Sequence, residues 1–158
     1  DPTAVQTMPL QQRVSMVNRL LQGATFNGDE DTIISILNES KEAGDHVALI
    51  DSVGAHTIAG DMNGAQWDTV HTFFKSHYYP STSQGNAFRL ICTCITGWTS
   101  DWEGEMVADI ISLRTDAAEL VTRVGGYYES GGFDEGLNKL QWQLGGSSQR
   151  RVEEAVGH

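Results

Sequence analysis

The sequence predicts an all-α fold made of two helical repeats of short helices, and three observations carry that prediction. Apolar residues recur at three- and four-residue spacing along most of the chain. Glycines fall where those runs stop, and the order of segments in the first half returns in the second. At 158 residues, with 39% hydrophobic and 20% charged, the chain has the composition of a folded globular protein. Its length suits about one domain of roughly 150 residues. Each repeat alone would bury little core, so the two are expected to pack as one compact domain.

Leu10, Val14, Val17, Leu20 and Leu21 lie on one helical face, and the stretch closes on Gly23, a good helix terminator. A polar loop, Ala24-Thr25-Phe26-Asn27-Gly28, leads to Asp29-Glu30-Asp31. These acids suit the positive end of a helix that continues through Ile33, Ile34, Ile36 and Leu37 to about Lys41. Val47, Leu49, Ile50 and Val53 predict a short helix, and Gly54 separates it from another over about 56–61. Trp67, Val70, Phe73 and Phe74 mark the last helix of the half. The turn-rich stretch Tyr79-Pro80-Ser81-Thr82-Ser83-Gln84-Gly85 is the best internal boundary. The chain therefore divides into a repeat over 1–79 with an N-terminal extension over 1–8, a linker over 80–85 and a second repeat over 86–158.

In the second half, Phe88, Leu90, Ile91 and Ile95 predict a helix that ends at Gly97. A shift of 73 places Glu30 on Glu103 and 33–37 on 106–110. Ser100-Asp101-Trp102-Glu103 has capping-box spacing. Farther on, Asp61-Met62-Asn63-Gly64 corresponds to Gln143-Leu144-Gly145-Gly146, with an insertion ascribed to a flexible connection over 125–132. The expected core includes Ile33, Ile36, Leu37, Val47, Ile50, Trp67, Phe73, Val107, Ile110, Leu120 and Val124, with Trp67 and Trp142 as anchors. Trp102 is expected to be partly buried.

Ten basic against 21 acidic residues give a net charge of −11, with no basic cluster. That excludes the electrostatic footprint of a duplex nucleic-acid binder. It also opposes direct attraction to an anionic bilayer unless a multivalent cation intervenes. No apolar run approaches the roughly 20 residues of a membrane span, and no secretory signal stands at the N-terminus. A start at Asp1-Pro2 without methionine suggests a processed protein or a piece of a longer one. The compartment stays open between a soluble secreted protein and one peripheral to a membrane. Cys92 and Cys94 are too close in a helix for a mutual disulfide and are expected to pack structurally.

Gly23-Ala24 followed by Asp29-Glu30-Asp31-Thr32-Ile33-Ile34-Ser35-Ile36-Leu37 resembles an annexin repeat. The family's first loop and second helix read approximately K-G-x-G-T-D-E-x-x-I-I-x-I-L. Asp61-Met62-Asn63-Gly64-Ala65-Gln66-Trp67 resembles the second landmark, an acid three residues before a glycine and an aromatic helix. The resemblance spans about 10–75. Residues 86–157 share the layout more than the motif, in the manner of degenerate annexin-like modules of the bacterial kind, found in larger, often secreted, architectures.

The resemblance implies a calcium-dependent, phospholipid-binding, membrane-associated module. In that family, loop carbonyls and a distant carboxylate supply oxygens to Ca²⁺, which takes roughly six to eight, and lipid phosphate completes the shell. Carried over, the candidate carbonyl donors are Leu21, Gly23 and Gly28, with Asp61 as the carboxylate. Two residues more than the family pattern separate Gly23 from Asp29, which redirects those carbonyls. Gln143 puts a neutral amide at the second cap position. Trp98, beside the second loop, is the candidate membrane-binding residue.

The sequence carries no H-E-x-x-H, G-x-S-x-G, C-x-x-C or phosphate-loop signature, and its histidines are scattered. The expected role is therefore a non-catalytic binding module on an anionic phospholipid surface. A second reading is a calcium-independent structural or protein-interaction domain of a larger secreted or injected assembly, and a third, less favoured, is an enzyme whose carboxylates converge from distant positions without a local signature.

Overall fold

A computed structural model describes residues 8–22 and 27–157, with only the backbone of Asn27. The described residues are all-α, and ten helices follow one another without strands. The chain separates into two compact units, Asp1–Ser81 and Thr82–His158.

Unit 1 holds α1 (Leu10–Leu20), α2 (Asn27–Ala43), α3 (His46–Val53), α4 (Ala55–Gly60) and α5 (Gly64–His77). Asp29 and Glu30 fall in the first turn of α2 and Lys41 in its last, each matched to the helix dipole. Gly54 joins α3 to α4 at φ +105°, a conformation that side-chain-bearing residues rarely adopt. The apolar faces of the five helices meet around Val17, Ile33, Ile36, Leu49, Ile50 and Phe74, all buried. Trp67 and Val47, expected in this core, are only half-buried. The Trp67 ring lies parallel to His71, with 4.5 Å between centroids.

One charged group crosses this core. Arg13 on α1, itself buried, donates from Nη1 and Nη2 to both carboxylate oxygens of Asp45 at 2.6 and 2.5 Å. It also donates to Ser40 Oγ at 2.7 Å and to the Met8 carbonyl at 3.3 Å. Asp45 stands at the N-cap of α3, so the pair fastens α1 across the junction between α2 and α3.

Unit 2 holds α6 (Gln84–Ile95), α7 (Asp101–Leu113), α8 (Ala117–Tyr128), α9 (Phe133–Gln143) and α10 (Gly146–Ala155). Ser83 caps α6 by accepting from the Asn86 N–H at 3.1 Å. At the start of α7, the Ser100 N–H and hydroxyl both donate to Glu103 Oε1, at 3.0 and 2.7 Å. Ile91, Ile95, Met106, Val107, Ile110, Leu120, Val124 and Leu140 form the core, and Cys94 packs among them as a free thiol. Burial pushes that thiol well above its ordinary range, which makes it a poor nucleophile. The N-cap of α8 repeats the arrangement of α3. Asp116 accepts from Arg114 Nε and Nη2 at 2.8 and 3.0 Å, and Arg114 Nη1 reaches the Thr82 carbonyl at 2.6 Å.

The glycine-rich segment is not the flexible connection expected over 125–132, because α8 runs through Gly125 and Gly126 to Tyr128. A Cβ on Gly125 would stand 2.8 Å from the Gly132 carbonyl carbon and 2.8 Å from Gly136 N. One on Gly136 would stand 2.8 Å from the Val121 carbonyl carbon and 3.0 Å from Val121 Cγ1. These glycines are where α8 and α9 pack backbone against backbone.

The guanidinium groups of Arg13 and Arg114 hold Asp45 and Asp116 below the usual carboxylate range. A carboxylate whose folded pKa is depressed contributes stability that is present above its unfolded pKa, about 3.9, and is lost as pH falls through the folded value. Urea midpoints measured from pH 5 downward are expected to fall below about pH 4. An Asp45→Asn, Asp116→Asn double variant should start lower and slope less.

Candidate functional site

The loops at one end of unit 2 are built around a single side chain. At the end of α6, Thr96 N–H bonds Cys92 O at 3.0 Å, and Gly97, at φ +74°, turns the chain into Trp98-Thr99-Ser100 and the start of α7. Gln143 is the last residue of α9. With its oxygen toward this loop the amide would face two carbonyl oxygens and gain at most the Thr99 hydroxyl, whereas its nitrogen satisfies all three, so hydrogen bonding assigns the nitrogen there. Nε2 then donates to Thr99 Oγ1 at 2.9 Å, to Gly97 O at 2.9 Å and to Ile95 O at 3.2 Å. Thr99 Oγ1 spends its own hydrogen on Cys94 O at 3.0 Å. One amide thus ties the loop after α6 to the C-terminal end of α9.

Two indoles flank this tie. Trp98, between the two tied residues Gly97 and Thr99, is 90% exposed, and Trp142, next to Gln143, is 88% exposed. The expected core role of Trp142 is therefore corrected. The buried face of α9 is Gly136, Leu137 and Leu140, and at about 100° per residue position 142 falls roughly opposite Leu140. Trp102, in the first turn of α7, is half-buried. Beside Trp98 opens a polar cleft of about 280 Å³, lined by Thr99, Ser100, Asp101, Glu105, Ser147 and Ser148 among others.

The equivalent end of unit 1 contains the other candidate ligands. Leu21 is the C-cap of α1, its N–H bonded to Val17 O at 3.0 Å. Gly23 lies outside the described residues. Gly28 is in the first turn of α2 rather than in a loop, and its carbonyl accepts from Thr32 Oγ1 at 2.9 Å, so that oxygen follows the helix. Asp61 is the half-buried C-cap of α4. Two residues on, Asn63 Nδ2 donates to Glu30 Oε1 at 3.0 Å. Glu30 is fully buried, and among the described residues its second oxygen has no hydrogen-bond partner. A desolvated carboxylate with one unpaired oxygen is costly, and a hard cation fits such an oxygen. Glu30 therefore joins Leu21 and Asp61 as a candidate ligand. In unit 2 the chemistry does not fit a cation, because an N–H donor occupies the point where the loop oxygens converge.

A smaller apolar cleft of about 210 Å³ lies between α2 and α5, lined by Leu37, Val70 and Phe73 with Asn38, Ser76 and His77 at its edge. His77 is the one titratable group of its lining, and burial, with Lys41 and His46 nearby, lowers its pKa. The His46 ring meets His77 edge-on with 6.2 Å between centroids and hydrogen-bonds the His77 carbonyl rather than its imidazole, so the two do not make a catalytic pair.

Sequence reasoning placed Trp98 beside a loop, where it is exposed, but put Trp142 in the core and missed the donor role of Gln143. The register of Leu137 and Leu140 held the signal for the first. For the second, the signal was the difference between an amide, which donates, and the carboxylate of the pattern, which cannot. Among the described residues, no helix is long and apolar enough to cross a membrane. None of the protein-family models, curated proteins or solved structures compared with this chain matches it.

Proposed function

We propose that the chain is a non-catalytic docking module for phospholipid membranes, with the loop end of unit 2 as its interfacial face. The observation that carries this reading is the near-complete exposure of Trp98, on the loop after α6, and of Trp142, in the last turn of α9, two segments tied to one another. Indole rings, apolar in body with one N–H donor, favour the headgroup zone of a bilayer. The order of five helices in each unit agrees with the annexin-like reading of the sequence.

The charge decides which surface is met directly. A net charge of −11, with Asp101 and Glu105 beside Trp98, disfavours anionic headgroups. Zwitterionic lipid is therefore met without help, and anionic lipid requires a divalent cation. In unit 1, Leu21, Glu30 and Asp61 would hold Ca²⁺, which supplies positive charge between the acidic protein and lipid phosphate.

Co-sedimentation with phosphatidylcholine and with phosphatidylserine-containing vesicles, in chelator and in about millimolar Ca²⁺, tests both parts. Burying about 60 Å² of each ring at about 25 cal/mol/Å² gives about 1.5 kcal/mol, so Trp98→Ala and Trp142→Ala should each weaken partition about tenfold. Asp61→Ala should remove only the calcium-dependent gain on phosphatidylserine. No pelleting on either lipid would overturn the reading.

A second surface favours protein contact. Tyr127, 69% exposed, meets the Phe88 ring edge-on at 5.9 Å, and Arg123 lies over that ring at 4.3 Å. Tyrosine, phenylalanine and arginine are the residues enriched in protein interfaces. If vesicles are not bound, a calcium-independent protein-interaction domain is the reading this surface supports.

A further inference from the structure

We infer that Gln143 is a positioning residue whose amide nitrogen fills an oxygen cradle of cation-binding chemistry, so that unit 2 presents Trp98 and Trp142 without metal. The inference rests on the docking reading only for the role of the two indoles.

Three oxygens, Ile95 O, Gly97 O and Thr99 Oγ1, face one point. Two are main-chain carbonyls, fixed by the C-terminal turn of α6 and by Gly97. The third is a hydroxyl whose hydrogen is directed away, to Cys94 O, which leaves its lone pairs turned inward. Converging neutral oxygens repel one another and need a positive centre between them, which is the basis of hard-cation sites. Here the centre is the electropositive NH₂ of Gln143. Its separations of 2.9, 2.9 and 3.2 Å from the oxygens are N–H···O lengths, well beyond the roughly 2.3–2.6 Å of calcium to oxygen.

The amide is suited to this place in two ways. It carries two hydrogens and no net charge, so burying it among carbonyls costs far less than burying an ammonium. It also comes from the end of α9, and one contact therefore fixes both the Gly97–Trp98 peptide and the backbone that bears Trp142. Glutamate at 143 would have the same length with the opposite chemistry. A fourth oxygen carrying negative charge would face the other three, and the loop would close only around a cation. Calcium dependence thus turns on one atom, the nitrogen or oxygen at the tip of residue 143.

The test compares the full chain with Gln143→Glu and Gln143→Leu. Trp98 borders the cradle, so tryptophan-sensitised terbium emission reports an ion bound in it. Gln143→Glu should gain emission over the unsubstituted chain, and adding Trp98→Phe together with Trp142→Phe should remove the gain. On phosphatidylcholine vesicles, Gln143→Glu should lose about tenfold in partition in chelator and recover in about 5 mM Ca²⁺, whereas the unsubstituted chain partitions equally in both. Gln143→Leu, which removes the donors without adding charge, should lower hydrogen-exchange protection of the Thr96 amide, whose N–H bonds Cys92 O at 3.0 Å in the turn that the glutamine ties, and respond to no metal. A Gln143→Glu chain that gains no terbium emission and needs no calcium overturns the inference, as does a Gln143→Leu chain with unchanged protection. Terbium emission gained without vesicle binding by any form would uphold the cradle and discard the membrane reading.

Discussion

Gly136→Ala is expected to destabilise unit 2 by about 3 kcal/mol or more, enough to leave α8 and α9 poorly docked. The added methyl would strike the Val121 carbonyl group, with the carbonyl carbon at 2.8 Å and Val121 Cγ1 at 3.0 Å. Backbone cannot rotate aside as a side chain can, so the helices must separate, which opens voids around Val124, Leu137 and Leu140. Alanine's better helix propensity returns only about 1 kcal/mol. Gly126→Ala is the control, because its Cβ would meet only Gly131 O at an ordinary 3.7 Å. That substitution should be neutral or stabilising by up to about 1 kcal/mol. Urea denaturation followed by tryptophan fluorescence reads both, since Trp98, Trp102 and Trp142 all belong to unit 2. Equal midpoints for the two variants would refute the close-packing account.

Asp45→Ala should cost unit 1 about 3 kcal/mol. Arg13 is 3% exposed at its side chain, and half of the four hydrogen bonds it makes to described residues end on Asp45. Removing the carboxylate leaves a buried guanidinium with only Ser40 Oγ and Met8 O, and breaking a buried pair from one side costs about 3–5 kcal/mol. The lower figure applies because Asp45 is 30% exposed and water can reach the vacated place. Asp45 makes no side-chain capping bond to α3, so the loss measures the pair rather than the cap. An Arg13→Met, Asp45→Leu chain, with both charges gone, should recover most of it. A double variant no more stable than Asp45→Ala would show that the cost lies elsewhere.

The helices were legible because burial imposes period on sequence. Ile33, Ile36 and Leu37 mark the inner face of α2, and Ser100 with Glu103 marks the start of α7 at the expected spacing. The all-α class follows from such stretches. What was not legible depends on partners distant in the chain. Arg13 and Asp45 meet across 32 residues, and no local pattern pairs them. Gly125 looks like a loop glycine until the facing backbone of Gly132 and Gly136 is known. Trp142 sits among apolar residues, yet the register of α9 turns it outward. Of the candidate ligands, Leu21 and Asp61 flank the loops of unit 1, and Gly28 has entered a helix. Glu30, which looked like a dipole-matching acid, is buried with an unpaired oxygen.

The two arginine clasps imply different histories during folding. Arg114 and Asp116 are two residues apart, so their paired bonds close within a single turn of chain, and only the bond to Thr82 O spans 32 residues. Arg13 and Asp45 have no such head start. Their bonds must wait until α1 has found the α2–α3 corner, with the loop-closure entropy of the intervening chain already spent. The clasp of unit 2 can therefore guide the corner between α7 and α8 while the chain is still collapsing. That of unit 1 locks an assembly already made, and its strength is felt chiefly in how slowly that half comes apart.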